Sequence, residues 1–319
     1  LEAGTSYPIT VDYTNDAPGF LIFGEAMLRL GWSMPEGAVD PKIAAAAEMA
    51  RKADAAVVVV RTYETEEMDR PDLRLPNEQD LLIRAVAAAN PRTVVVLMNA
   101  GPIEVASWEE GVPSILEGWY GGQEQGAAIA RVLFGDVNPS GKLPITFPRD
   151  ESQTPIATPE QYPGIGGAVH YSEGVYVGYR GYEKQGIEPQ YPFGHGLSYT
   201  TFAYENLQIT PAAAAGGETV TIRFDIQNTG SWAGAEVTQV YLLPPGAEAK
   251  RLAGWARVYL EPGQRREVSV VLEENQGEHP FSTWDSVTHD WRLVEGEYGV
   301  IVGGSVQDVR LVGKTVVGA

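Results

Sequence analysis

Cysteine is absent from the 319 residues, which excludes a disulfide scaffold and a thiolate metal site. Positive charge is scarce. Lys and Arg number 23 against 42 Asp and Glu, a formal net charge of −19, so the average surface field repels phosphate backbones and anionic headgroups. Nucleic acid is not an expected partner. No apolar run approaches the ~18–20 residues needed to span a bilayer; the apolar stretches are strand-length pieces such as AAVVVV at 55–60, and no membrane partner is expected. The amino terminus, LEAGTSYPIT, has no Met, basic n-region or apolar h-region. Targeting information is therefore expected to be absent or cut away, and residue 1 need not be the gene's first. Four histidines, at 170, 195, 279 and 289, show no ligand spacing, and Ser114, Ser140 and Ser172 lack the strand-to-helix elbow of a nucleophilic serine. Metal hydrolysis and a serine triad are poor matches, and no metal or cofactor is expected.

What remains is ample core material. The chain is 44 % hydrophobic, with 7 Trp, 15 Tyr and 8 Phe, and its length suits two domains of ~100–200 residues. Residues 1–39 are rich in β-formers and turn residues (Asn15, Asp16, Pro18, Gly19) but have no partner helix; they read as the tail of a β-rich unit. From 40 the pattern alternates. Asp40-Pro41 opens an Ala-rich helix, AAVVVV follows as a buried strand, and a second helix, capped by Asn77, precedes the strands TVVVLMN at 93–99 and SILEGW at 114–119. A further helix is expected at 124–135. Continuous β-branched strands between helices predict a parallel sheet covered on both faces, an α/β sandwich over 40–165. After Gly141 the helical period disappears, and the aromatic, Gly-rich stretch at 166–200 reads as a connector that packs against a neighbour. From 201 to 319 alternation takes over, as in Val220, Ile222, Phe224 and Ile226, predicting an all-β sandwich.

The loop leaving the first buried strand, TYETEEMDRPDL, holds Glu64, Glu66, Glu67, Asp69 and Asp72 within nine residues. In open parallel sheets ligands sit beyond the carboxyl ends of strands. Crowded carboxylates raise one another's pKa, so one can stay protonated and act as a general acid for glycosidic cleavage. The plainer reading is a solvated acidic loop, or acids holding Arg61 and Arg70 in salt bridges. Hard-cation binding lacks the ordered ligand alternation of calcium loops. In GWYGGQEQG, Trp119 and Tyr120 stand at another strand end, where an aromatic face either stacks on a sugar or packs into the core.

The segments YETEEMDRPDLRLPNEQDLLI, GPIEVASWEEGVPSILEGWYGGQEQGAAIARVLFGDVNPSGKLPITFP, YSEGVYVGYRGY and YPFGHGLSYTTF resemble the carboxyl-terminal half of glycoside hydrolase family 3 β-glucosidases. IQNTGSWAGAEVTQVYL, RLAGWARVYLEPGQ and LVEGEYGVIVGG resemble the fibronectin type III-like domain that closes many of them. The resemblance implies a sandwich with flavodoxin-like layers, a preceding (β/α)8 barrel, and residues 1–39 as the exit strands of a PA14-like insert. It also implies retaining hydrolysis of terminal β-D-glucosyl residues, by a barrel Asp nucleophile and a sandwich Glu as acid/base, their carboxyls about 5–5.5 Å apart. The family's loop, roughly Trp-Glu-Ser-Glu-Gly-Phe-Asp-Arg, maps onto Tyr63 to Arg70 and makes Glu66 the acid/base, with Glu64, Asp69 and Arg70 in support. Glu67 stands where the family has Gly. The implied partners are a β-glucoside or oligosaccharide and the barrel segment, without which the chain is expected to be inactive; homo-oligomerisation stays open. The alternatives are a non-catalytic carbohydrate-binding or structural module, and a β-xylosidase or arabinosidase of the same family. The compartment, cytoplasmic, periplasmic or secreted, is left open.

Overall fold

The computed structural model describes residues 40–64, 70, 72–156, 158–274 and 278–318. The predicted tail at 1–39 therefore lies outside the described residues. The first layered unit runs α1 (Pro41–Lys52), β1 (Ala56–Arg61), α2 (Gln79–Ala89), β2 (Thr93–Met98), β3 (Ser114–Glu117) and α3 (Gln125–Leu133). The three strands form a parallel sheet in the order β1-β2-β3, with Ala56 opposite Thr93 and Val94 opposite Ser114. Its core gathers Val58, Val60, Ile83, Val95, Leu97, Ile103, Val105 and Phe147. Each such Val or Ile contributes roughly 1.5–3 kcal/mol on burial.

Three local expectations need correction. The sheet is not covered on both faces throughout: β2 is buried almost end to end, but β1 alternates, with Val57 51 % and Val59 54 % exposed. Asn77 does not cap α2. Asn77 and Glu78 both take left-handed φ (57° and 56°), and no side chain caps the helix. Gln79 anchors the helix start instead: its amide donates to the carbonyls of Arg61 and Pro76, each at 2.8 Å, and accepts from Arg61 N–H at 3.0 Å. Finally, a helix does form after Gly141. Here α4 (Tyr179–Gln185) runs between glycines with positive φ, Gly178 and Gly186, and buries Tyr182.

The stretch around α4 packs on both sides. Phe147 bridges Tyr191 toward the first unit, while Tyr179 stacks on Phe193 at 4.7 Å and meets the Tyr241 ring edge-on. Two glycines in GHG make this approach feasible: a Cβ on Gly194 would lie 2.2 Å from Gln239 Oε1, and one on Gly196 2.1 Å from the Gly141 carbonyl.

The remaining strands are β4 (Phe202–Thr210), β5 (Ala213–Ala214), β6 (Val220–Asn228), β7 (Gly234–Leu243), β8 (Arg251–Leu260), β9 (Arg265–Leu272), β10 (Ser282–Asp285), β11 (Asp290–Leu293), β12 (Gly296–Gly303) and β13 (Val309–Val317). Sheets β4-β6-β9 and β5-β13-β12-β7-β8 supply the inner faces of a second core, and β10-β11 is a separate hairpin. The alternating sets Val220, Ile222, Phe224, Ile226 and Tyr298, Val300, Val302 are all buried there, as period-two alternation requires.

Candidate active site at the carboxyl edge of the parallel sheet

The three parallel strands end side by side at Arg61, Met98 and Glu117. Just past β1, Thr62 is buried and its hydroxyl donates to the Glu64 carboxylate. Tyr120, at the exit of β3, donates its hydroxyl to the same Glu64 oxygen, and that hydroxyl lies 3.2 Å from the Thr62 carbonyl. Arg70 completes the clamp, with Nε 3.1 Å from Glu64 Oε1 and Nη2 donating to the Pro102 carbonyl at 2.6 Å. Burial pushes the Glu64 carboxyl up, but the hydroxyls of Thr62 and Tyr120 and the Arg70 charge outweigh it and hold its pKa below the ordinary value. Glu64 is an ionised anchor. Arg61, Thr62, Tyr63, Glu64, Met98 and Tyr120 line a cleft of about 390 Å³ here.

The sequence-predicted residues divide accordingly. Glu64 and Arg70 are brought together, whereas Glu66 and Asp69 lie outside the described residues. Arg61 covers the Tyr63 ring, its guanidinium carbon 4.5 Å from the centroid. Asp72 is held by Arg74 at 2.6 Å, and hydrogen bonds from Arg74 keep its pKa low. Trp119 packs edge-on against Phe147, while Tyr120 stays 51 % exposed in the cleft. Among the described residues no group of three or more His, Asp or Glu converges as a metal site.

Sequence reading missed Glu117. Its Oε1 accepts from the Trp119 amide at 2.9 Å, but its Oε2 is buried without a hydrogen-bond partner. Burial raises its pKa from 4.5 to about 7, against the smaller opposing effects of the Trp119 amide and Asn99. The folded state therefore holds this proton after the unfolded chain has lost it. The resulting stability is full below pH 4.5 and is lost as pH rises through about 7. Relative to Glu117→Gln, the native chain should lose on the order of 3 kcal/mol between those limits. Urea midpoints of both proteins across pH 4.5–8 check this; parallel curves would refute it.

The glycosyl hydrolase family 3 C-terminal domain matches residues 10–199, and the fibronectin type III-like domain matches 236–306. The first match begins inside the stretch read above as a PA14-like tail. A probable β-glucosidase I of Aspergillus flavus is 38 % identical over 327 residues, covering 97 % of this chain and 38 % of that protein. A probable β-glucosidase K of Emericella nidulans is 38 % identical over 98 % of the chain and 37 % of its own length. The chain thus spans about two fifths of these relatives. Among solved structures, DesR, a β-glucosidase from Streptomyces venezuelae in complex with D-glucose, superposes with a TM-score of 0.80 at 38 % identity, over 86 % of this chain and 35 % of that one. The Kluyveromyces marxianus β-glucosidase in complex with glucose gives 0.80 at 37 % identity, over 88 % and 34 %.

Proposed function

Because the chain belongs to glycosyl hydrolase family 3, through that family's C-terminal domain and a fibronectin type III-like domain, we infer that it is the acid/base-bearing portion of a retaining β-glucosidase. Its substrate is a terminal β-D-glucosyl residue, and the nucleophile comes from a barrel segment outside these 319 residues. In this reading 40–165 is the sandwich, 166–200 the connector and 201–319 a supporting domain without catalytic groups.

The observation that carries the reading is the clamp. Glu64 and Arg70 bracket Glu66 in sequence and are tied to each other at 3.1 Å at the carboxyl edge of the sheet. Glu64 and Arg70, which flank Glu66 in sequence, thus sit where α/β sheets present their ligand-binding loops. The outward face of β1 offers an apolar surface to a further segment. Among the described residues β1 pairs with β2 alone, and Val57 and Val59 face outward uncovered.

The test is the full-length protein acting on aryl and alkyl β-D-glucosides, with the anomer of the first-formed glucose read by NMR. Retention with burst kinetics on activated substrates is expected. An inverted product, or no hydrolysis of any β-glycoside, overturns the reading; a preference for β-xylosides would move the specificity within the family.

A further inference from the structure

Tyr120 owes its position to a short turn. Gly118 N–H still bonds Leu97 O at 2.9 Å, continuing the β2–β3 ladder, and the next residue, Trp119, takes a left-handed φ of 48°. A residue with a Cβ adopts that conformation only when its surroundings impose it. Two side chains do so. Glu117 Oε1 accepts the Trp119 amide at 2.9 Å, and Gln125 Nε2 donates to the Trp119 carbonyl at 2.6 Å. The turn then delivers Tyr120, whose hydroxyl reaches the Glu64 carboxylate.

On the β2 side, Asn99 is 1 % exposed and donates Nδ2 to Gly101 O at 2.6 Å, which identifies that atom as the nitrogen. Its Oδ1, like Glu117 Oε2, is buried with no partner. Asn99 also faces Glu117, and its side chain holds the Glu117 pKa down against the larger effect of burial.

We propose that Glu117 is a positioning residue for the acid/base loop: by accepting the Trp119 amide it holds the turn that sets Tyr120 against Glu64. This rests on the loop at 62–70 being the acid/base loop. No ion pairs with Glu117 among the described residues; the charges of the same edge, Glu64 and Arg70, are engaged with one another. Glu117 touches no reacting atom in this scheme. It acts through Tyr120 and Glu64.

Full-length enzyme bearing Glu117→Gln, Glu117→Leu, Tyr120→Phe and the double variant Glu117→Leu/Tyr120→Phe decides the matter. The amide oxygen of Glu117→Gln can still accept from the Trp119 amide, so kcat is expected within about threefold of native. Glu117→Leu should lower kcat on poor leaving groups by about 10- to 100-fold, as expected of a displaced catalytic loop, with KM little changed. The double variant should be no slower than the worse single variant, because both act along one chain of contacts. Equal losses in Glu117→Gln and Glu117→Leu would show that accepting the Trp119 amide is not what matters. Additive losses would show that Glu117 does not work through Tyr120. A Glu117→Leu protein that loses only thermal stability would make the role structural; each of these three results overturns the proposal. If Glu117→Leu fails to fold, Gln125→Leu, which removes the other hold on the Trp119 turn, takes its place with the same expected loss on poor leaving groups. Glu66→Ala is the separate control for the loop's chemistry. Should it leave turnover unaffected, the parent reading fails, and crystal structures of Glu117→Gln and Glu117→Leu still decide whether Glu117 holds Tyr120 on Glu64.

Discussion

Glu66→Ala in the full-length enzyme is expected to slow alkyl and other poor-leaving-group β-glucosides by about 10²–10⁴-fold, the range general acid catalysis supplies. Aryl glucosides with acidic leaving groups need less protonation and should lose less in the first step. The covalent intermediate would then accumulate for want of a base, and azide should restore turnover and yield a β-glucosyl azide. Glu64 makes an informative contrast. It is held ionised by Thr62, Tyr120 and Arg70, so it lacks the proton a general acid must give. Glu64→Gln should disturb the loop through loss of the Arg70 ion pair without azide rescue, and Glu67→Gln should shift only the pH profile. Azide rescue of Glu67→Ala or Glu64→Ala in place of Glu66→Ala would move the acid/base to that position. Rescue of none would leave the loop an acidic surface.

Lys142→Ala should be the most damaging single change outside the site. Lys142 Nζ lies 3.3 Å from Glu236 Oε1 and donates to the Gly196 carbonyl at 2.9 Å, joining the stretch after α3 to β7 of the fibronectin-like sandwich. Glu236 is only 7 % exposed, and Tyr204 donates to the same oxygen at 2.8 Å. Burial and then the Glu236 charge push the Tyr204 hydroxyl far above the ordinary phenol range, so it remains a donor at any working pH. Removing the ammonium leaves a buried carboxylate with its cation gone, a loss of about 3–5 kcal/mol. Pairing Lys142→Met with Glu236→Gln removes both charges and keeps the Tyr204 bond, and should recover most of that loss. Denaturant unfolding measures both; a single variant within ~0.5 kcal/mol of native would show that the pair is solvated and of the weak surface kind.

How far the sequence reveals the molecule depends on the range of the interactions. The strands at 93–98 and 220–228 are legible because burial period is a local property, and 62–72 stands out because its charge density is local too. Val57 and Val59 read as core from the same apolar run, since composition does not reveal whether a second layer covers the outer face. The clamp was legible only in part. Glu64 and Arg70 are six residues apart, but Tyr120 reaches Glu64 across 56 positions, and nothing in either segment announces the other. Glu117 escaped notice because it sits inside a strand-like run, SILEGW, as a lone acid. Its meaning comes from the left-handed Trp119 that follows, and an isolated Glu before Gly gives no warning of that conformation.

The uncovered flank of β1 also governs how the polypeptide behaves in the test tube. AVVVVR is short, β-branched and free of proline, with its single charge at the end, and one edge of it has no strand beside it among the described residues. Such an edge is a template on which another copy can add its own strand, and the upright Val57 and Val59 side chains offer a dry surface for stacking. When not covered by its natural neighbour, the parallel sheet is therefore also a nucleus for aggregation, and recombinant handling of this portion calls for a lysine on that face or the covering segment in the same polypeptide.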